Sequence, residues 1–162
     1  MNCANCGAPM IYHRARATFE CQYCLGVYIP EADDQGLRMI DEQARHICPL
    51  CDQPLVWADL DGFPAEICPQ CRGVLMLQSL FGKAVRVLRA RARTPAVEPG
   101  LLDRSGLERR VRCPGCCQEM DNHIYAGPGN IVIDTCLNCG LIWLDYRELR
   151  QVLDTPGRDR GA

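Results

Sequence analysis

Apolar residues recur along this chain at two different periods. Short runs of strand length come in pairs: Met10-Ile11-Tyr12 with Ala17-Thr18-Phe19, Leu55-Val56-Trp57 with Ala65-Glu66-Ile67, and Asn122-His123-Ile124-Tyr125 with Ile131-Val132-Ile133. The third pair flanks Ala126-Gly127-Pro128-Gly129-Asn130 and the second flanks Asp59-Leu60-Asp61-Gly62, both turn-forming, so hairpins are expected. The first pair is the weakest of the three. Over 77–92 the period becomes helical: Leu77, Leu80, Phe81, Ala84 and Leu88 share one face, and Lys83, Arg86, Arg89, Arg91 and Arg93 take the others. A second helix is expected where Asp145 precedes Glu148 at capping-box spacing and Leu149, Val152 and Leu153 form an apolar face. A third is expected over 37–45, starting near Gly36. Residues 94–100 read as a linker, Ser105-Gly106-Leu107-Glu108 as a short turn, and the segment after Thr155 as a loose tail.

Thirteen cysteines in 162 residues change that picture. Such a load means either a disulfide scaffold or metal sites, and Cys-x-x-Cys spacing favours metal. Twelve of them form six pairs: Cys3/Cys6, Cys21/Cys24, Cys48/Cys51, Cys68/Cys71, Cys113/Cys116 and Cys136/Cys139. Taken in order they make three units, each able to converge four thiols on one ion, which is a signature of zinc. The units repeat outside the cysteines too. Met10, Leu55 and Met120 stand four residues after the second cysteine, and Tyr28, Leu75 and Trp143 four after the fourth. With so little to bury, each unit is expected to depend on its metal to fold. A cross-braced pairing between the first two units remains open, because only twenty-three residues separate them. The forty-one residues between Cys71 and Cys113 argue against it for the third.

The expected fold is thus a small metal-bound α+β chain of three tandem zinc ribbons, short β-hairpins with four-cysteine zinc sites, each followed by a helix. Its divisions fall at 1–46, 47–93, a linker 94–111, 112–155 and a tail 156–162. Three Zn2+ per chain are expected. Four thiolates saturate tetrahedral zinc and leave no position for a water or substrate, so the sites should be structural and the chain no hydrolase.

The third unit reads Cys-Pro-x-Cys, then Ile-Asp-x-Cys-x-x-Cys-Gly-x-x-Trp-Leu-Asp and Glu-Leu. Over 112–153 it closely resembles the bacterial zinc-ribbon family named after transcription initiation factor IIB. The resemblance implies that Cys113, Cys116, Cys136 and Cys139 bind one zinc and that Trp143 packs beside it. The second unit keeps Cys48-Pro49-Leu50-Cys51 and Cys68-Pro69-Gln70-Cys71-Arg72-Gly73 but has Leu75 in place of the Trp. The first has Tyr28 there, and Pro30 where the Asp would stand.

Charge adds a second candidate surface. The formal net charge is −2, and three tetrathiolate zinc ions would take it to about −8. Against that background Lys83, Arg86, Arg89, Arg91, Arg93, Arg104, Arg109, Arg110 and Arg112 face only Glu98, Asp103 and Glu108. Such a segment suits phosphates, or it is a solvated face paired with acidic surfaces. The candidate contact residues are Lys83, Arg86, Arg89, Arg91, Arg93, Arg109, Arg110 and Arg112.

Other residues carry a chemical and a structural reading side by side. Cys117 is either an alternate ligand or redox thiol, or a passive small residue. His13, His46 and His123 are surplus to units that already hold four cysteines. Glu66 and Asp134, each two residues before a third cysteine, read as strand-edge carboxylates rather than acid/base groups. Trp57 and Tyr125 either stack on a partner or pack internally. The expectation is a non-enzymatic adaptor in a larger protein assembly, with nucleic-acid binding through 83–112 as one alternative and a rubredoxin-like iron electron carrier as another. No secretory signal or membrane span is read, which places the chain in the cytoplasm, and no small-molecule substrate is indicated.

Overall fold

The paired apolar runs fold as antiparallel strands because alternation gives each hairpin one apolar face. The computed structural model describes residues 1–13 and 16–161, apart from the side chain of Asp41. Strands β1 (Met10–His13), β2 (Thr18–Cys21) and β3 (Val27–Tyr28) form a three-stranded sheet in that order. Four strands follow: β4 (Arg38–Ile47), β5 (Pro54–Leu60), β6 (Phe63–Ile67) and β7 (Val74–Leu77). After helices α1 (Gln78–Arg91) and α2 (Ser105–Glu108) come β8 (Asp121–Ile124), β9 (Val132–Cys136), β10 (Leu141–Leu144) and α3 (Glu148–Asp154). Strands β4 to β10 make one seven-stranded sheet in the order β4-β5-β6-β7-β10-β9-β8.

The second and third cysteine units therefore share a sheet. Their seam is the antiparallel pair β7–β10, in which Leu75 lies opposite Trp143, Met76 opposite Ile142 and Val74 opposite Leu144. Leu75 and Trp143 occupy the same place in their own units, so the two units meet as a local pseudo-two-fold. Period-2 alternation then divides the apolar residues between two layers. Val74, Met76, Ile142, Leu144, Ile67 and Ile133 pack beneath Phe81, Ala84 and Val85 of α1 and Leu149, Val152 and Leu153 of α3. On the opposite face Leu55, Leu75, Met120 and Trp143 pack with the cysteines of both units. The helices expected after the second and third units are α1 and α3, and the two units bury a common core that neither has alone.

Residues 37–45 are not a helix: Arg38–Ile47 is strand β4, hydrogen-bonded to β5. The buried residues Ile40 and Ala44 are four apart. That spacing satisfies a helical face and a strand face equally, and the open edge of β5 decides between them.

The tail is docked rather than loose. Arg89, in the last turn of α1, is fully buried and donates from Nε and Nη2 to both carboxylate oxygens of Asp159 at 2.7 and 2.8 Å, and from Nη1 to the Val152 and Thr155 carbonyls. Arg160 adds bonds to the Leu153 and Thr94 carbonyls. A buried guanidinium requires such partners, and the tail supplies them. The linker is likewise anchored, by Val97 N–H to the Asp154 carbonyl and by Asn130 to the Gly100 carbonyl.

Gln35, fully buried, ties the segment after β3 to both units of the large sheet. Its amide donates to the Arg72 carbonyl at 2.9 Å and accepts from Arg147 N–H at 2.8 Å. Asp33 and Asp34 pair with the Arg72 guanidinium alongside it. Among the described residues no helix is long and apolar enough to cross a membrane.

Candidate metal centres

Each Cys-x-x-Cys pair is built by one repeated turn. The residue after the second cysteine has positive φ at Gly7, Leu25, Asp52, Arg72, Cys117 and Gly140. Its N–H returns to the carbonyl of the first cysteine, as in Gly7 to Cys3, Arg72 to Cys68 and Cys117 to Cys113 at 2.8 to 2.9 Å. This left-handed residue turns the chain back sharply, so both sulfurs of a pair point to the same side. Two such turns, brought together by a hairpin, close each site.

The three groups that result are Cys3, Cys6, Cys21, Cys24; Cys48, Cys51, Cys68, Cys71; and Cys113, Cys116, Cys136, Cys139, with all sulfurs of a group within 4.8 Å of one another. The grouping is sequential, and none of the three is cross-braced between units. Sulfur separations are 3.5 Å for Cys3–Cys24 and Cys6–Cys21, and 3.6 Å for Cys48–Cys71 and Cys116–Cys136. A tetrahedron with Zn–S bonds of about 2.3 Å has edges of about 3.8 Å, so the thiols fit zinc with little movement. Backbone N–H groups also face the sulfurs: Leu50 to Cys48 at 3.4 Å, Cys71 to Cys68 at 3.4 Å and Gly115 to Cys113 at 3.3 Å. Donors of this kind hold a thiolate in place. The amides of Cys24 and Tyr23 bring the Cys21 thiol down to about 6.

Residues 47–85 match the family model described as transcription factor zinc-finger, a TFIIB-type zinc ribbon. Over these residues the chain is similar to a TFIIB-type zinc ribbon. Comparison with curated proteins and with solved structures found no match to the chain. The ribbon so identified is the second unit, from the end of β4 into α1. The first and third units repeat its cysteine spacing, its strand pattern and its sulfur cluster, so the chain carries three zinc sites of four cysteines each.

Trp143 lies beside its ribbon's cysteines, fully buried, and its indole donates to Asp145 at 3.1 Å. Gly73 makes room for it: a Cβ there would stand 2.2 Å from Trp143 Cζ2. Asp145 also receives Arg109, which reaches Asp134 at 3.0 Å, and Asn122 donates to Asp134 at 2.9 Å. Arg109 is thus an internal strut between β9 and the end of β10. Burial outweighs the hydrogen bond from Asp145 N–H and pushes the Glu148 carboxyl up to about 8.

The remaining candidates take structural places. Asp134 and Glu66 are buried in the sheet rather than at its edge, Glu66 pairing with His46 at 2.9 Å. His13 and His123 sit beside Glu20 and Asp121. Tyr125 packs edge-on against Phe81 at 5.4 Å, and Trp57 packs against the layer that holds the cysteines. Cys117 occupies the left-handed turn position with its side chain exposed, outside the sulfur cluster. Of the basic candidates, Arg89 and Arg109 are consumed internally, Arg110 pairs with Glu119 at 3.3 Å and Arg91 with Asp61 at 3.4 Å. Lys83, Arg86, Arg93 and Arg112 are exposed. Sequence reasoning missed Gln35 and Asp159, whose partners lie far along the chain; the one available signal was an arginine placed near an apolar helix face.

Proposed function

We propose that the chain is a non-catalytic zinc-ribbon adaptor that presents rigid ribbon surfaces to a larger protein assembly, in the transcription apparatus of a reducing cytoplasm. The observation that carries this reading is the closure of all three sites by cysteine. A zinc ion held by four cysteines has no open position from which to activate water or polarise a substrate, so its contribution is to hold shape. The twelve paired cysteines are the ligands in this reading. The test is affinity purification of the tagged chain at native level, with and without nuclease. A defined set of proteins that survives nuclease is expected, and recovery of the chain alone would reject the adaptor.

A second reading is supported by Lys83, Arg86, Arg91 and Arg93, which stay exposed on and just after α1. These could track a phosphate backbone, with Arg89 and Arg109 excluded by their internal bonds. Binding to a labelled duplex that weakens steeply with salt, and vanishes in the variant with all four changed to Glu, would favour it. An iron electron carrier would show visible colour and iron when prepared without oxygen; the zinc-ribbon match predicts a colourless protein with three zinc ions.

A further inference from the structure

The three ribbons share one internal register. The residue two before the third cysteine lies opposite the residue four after the fourth: Phe19 opposite Tyr28, Glu66 opposite Leu75, Asp134 opposite Trp143. Strands β3, β7 and β10 are therefore equivalent. In the second and third ribbons this strand is where the units join, because β7 and β10 pair with each other about Leu75 and Trp143. In the first ribbon it is an open edge among the described residues, since the small sheet ends at β3. On the far side of that ribbon, Tyr12 of β1 lines a small cavity with Ile40, Trp57 and Pro64 of the large sheet.

The open strand is apolar where its equivalents are buried. Leu75 and Trp143 are 2% and 0% exposed, whereas Tyr28 is 44%, Val27 61% and Ile29 60% exposed, with Tyr23 and Leu25 projecting next to them. Exposed apolar edges are normally blunted by charge. From Cys21 to Pro30 there is no Asp, Glu, Lys, Arg or His. A two-fold axis sets each residue against itself or a near neighbour, so only a strand without charge can pair with its own copy free of like-charge repulsion.

We propose that β3 pairs with β3 of a second copy of this chain, antiparallel about Tyr28, reproducing between chains the seam that β7 and β10 make within one. In the matching register Val27 lies opposite Ile29 of the other copy. Pro30 falls at the place of Leu77, the outermost pair of the β7–β10 ladder, so its missing N–H lies at the limit of the seam. The pairing goes beyond the adaptor reading and does not depend on it.

The test is light scattering coupled to gel filtration on the zinc-loaded full chain over a hundredfold concentration range. The expected result is a species of twice the 18.1 kDa chain mass that dissociates on dilution. The double variant Val27→Lys, Ile29→Lys is expected to be monomeric throughout while keeping three zinc per chain and the wild-type circular dichroism. Hydrogen exchange of the wild-type chain, with the 27 and 29 amides protected at high concentration and exchanging at low, reads the same seam without a variant. A wild-type monomer over the whole range overturns the proposal, as does a dimer whose 27–29 amides exchange freely or which survives the two lysines. Failure here leaves the co-purification test untouched.

Discussion

Leu75 and Trp143 lie directly opposite each other in the seam between β7 and β10, each four residues past the last cysteine of its own ribbon. A repeated sequence feature has become a contact between the repeats. The sheet is continuous through that point, with helices over one face and both metal groups on the other.

The seam is expected to be intolerant of volume change. Trp143→Ala should cost ~3–5 kcal/mol, as for other large buried aromatics. Gly73→Ala forces a methyl into the indole and should cost ~1–3 kcal/mol. Urea unfolding of the zinc-loaded protein measures both, and a neutral Gly73→Ala would mean that the indole has room to move.

Arg89 and Arg86, one turn apart on α1, should separate structural from surface charge. Arg89→Ala removes a buried group with two carbonyl partners and should cost ~2–4 kcal/mol. Asp159 is half exposed, and Asp159→Asn should cost only ~1 kcal/mol. Arg86→Ala should lie within about 0.5 kcal/mol of wild type. Equal effects at positions 86 and 89 in thermal melts would contradict the burial of Arg89.

Zinc removal should be ordered. Among the described residues the first ribbon buries only Cys3, Thr18, Phe19, Cys21 and Pro30 in its three-stranded sheet and loops, whereas the other two share a helix-covered core. Graded chelation should release one zinc first, with residues 1–30 losing hydrogen-exchange protection while 54–153 keep theirs. Release of all three ions in a single cooperative step would show that the first ribbon draws its stability from the large sheet.

Glu148 should give folding a slope with pH. Its carboxyl is raised by burial from 4.5 to about 8, so the folded chain holds a proton that the unfolded chain releases above about pH 4.5. That contribution to stability is complete at low pH and is lost as pH rises toward 8. Glu148→Gln keeps the acceptor for Asp145 N–H and never ionises. The variant should equal wild type near pH 4.5 and exceed it near pH 8, with the ligand thiols cancelling in the comparison of urea midpoints. Parallel pH profiles would place Glu148 in its ionised form.

What could be read from the chain alone was the local chemistry. The three hairpins, α1 and the three sulfur groups are each encoded within a few tens of consecutive residues. Turn residues, Cys-x-x-Cys spacing and helical period all act at that range. The first helix expected after a ribbon failed where local signals were ambiguous: Ile40 and Ala44 suit either period, and pairing with β5 made a strand. Arg89 and Arg109 looked like a surface for phosphates because sequence shows a cation but not its internal partners.

The sequence by itself determined the number of four-cysteine groups and which cysteines make up each. The tertiary structure alone decided that two ribbons fuse into one sheet through Leu75 and Trp143, that Asp159 returns to Arg89, and that Gln35 bridges Arg72 and Arg147. The physical reason is range. A metal site closes through short turns whose geometry neighbouring residues dictate, whereas an open strand edge or a buried charge can be satisfied by any compatible group, and only packing selects which one arrives.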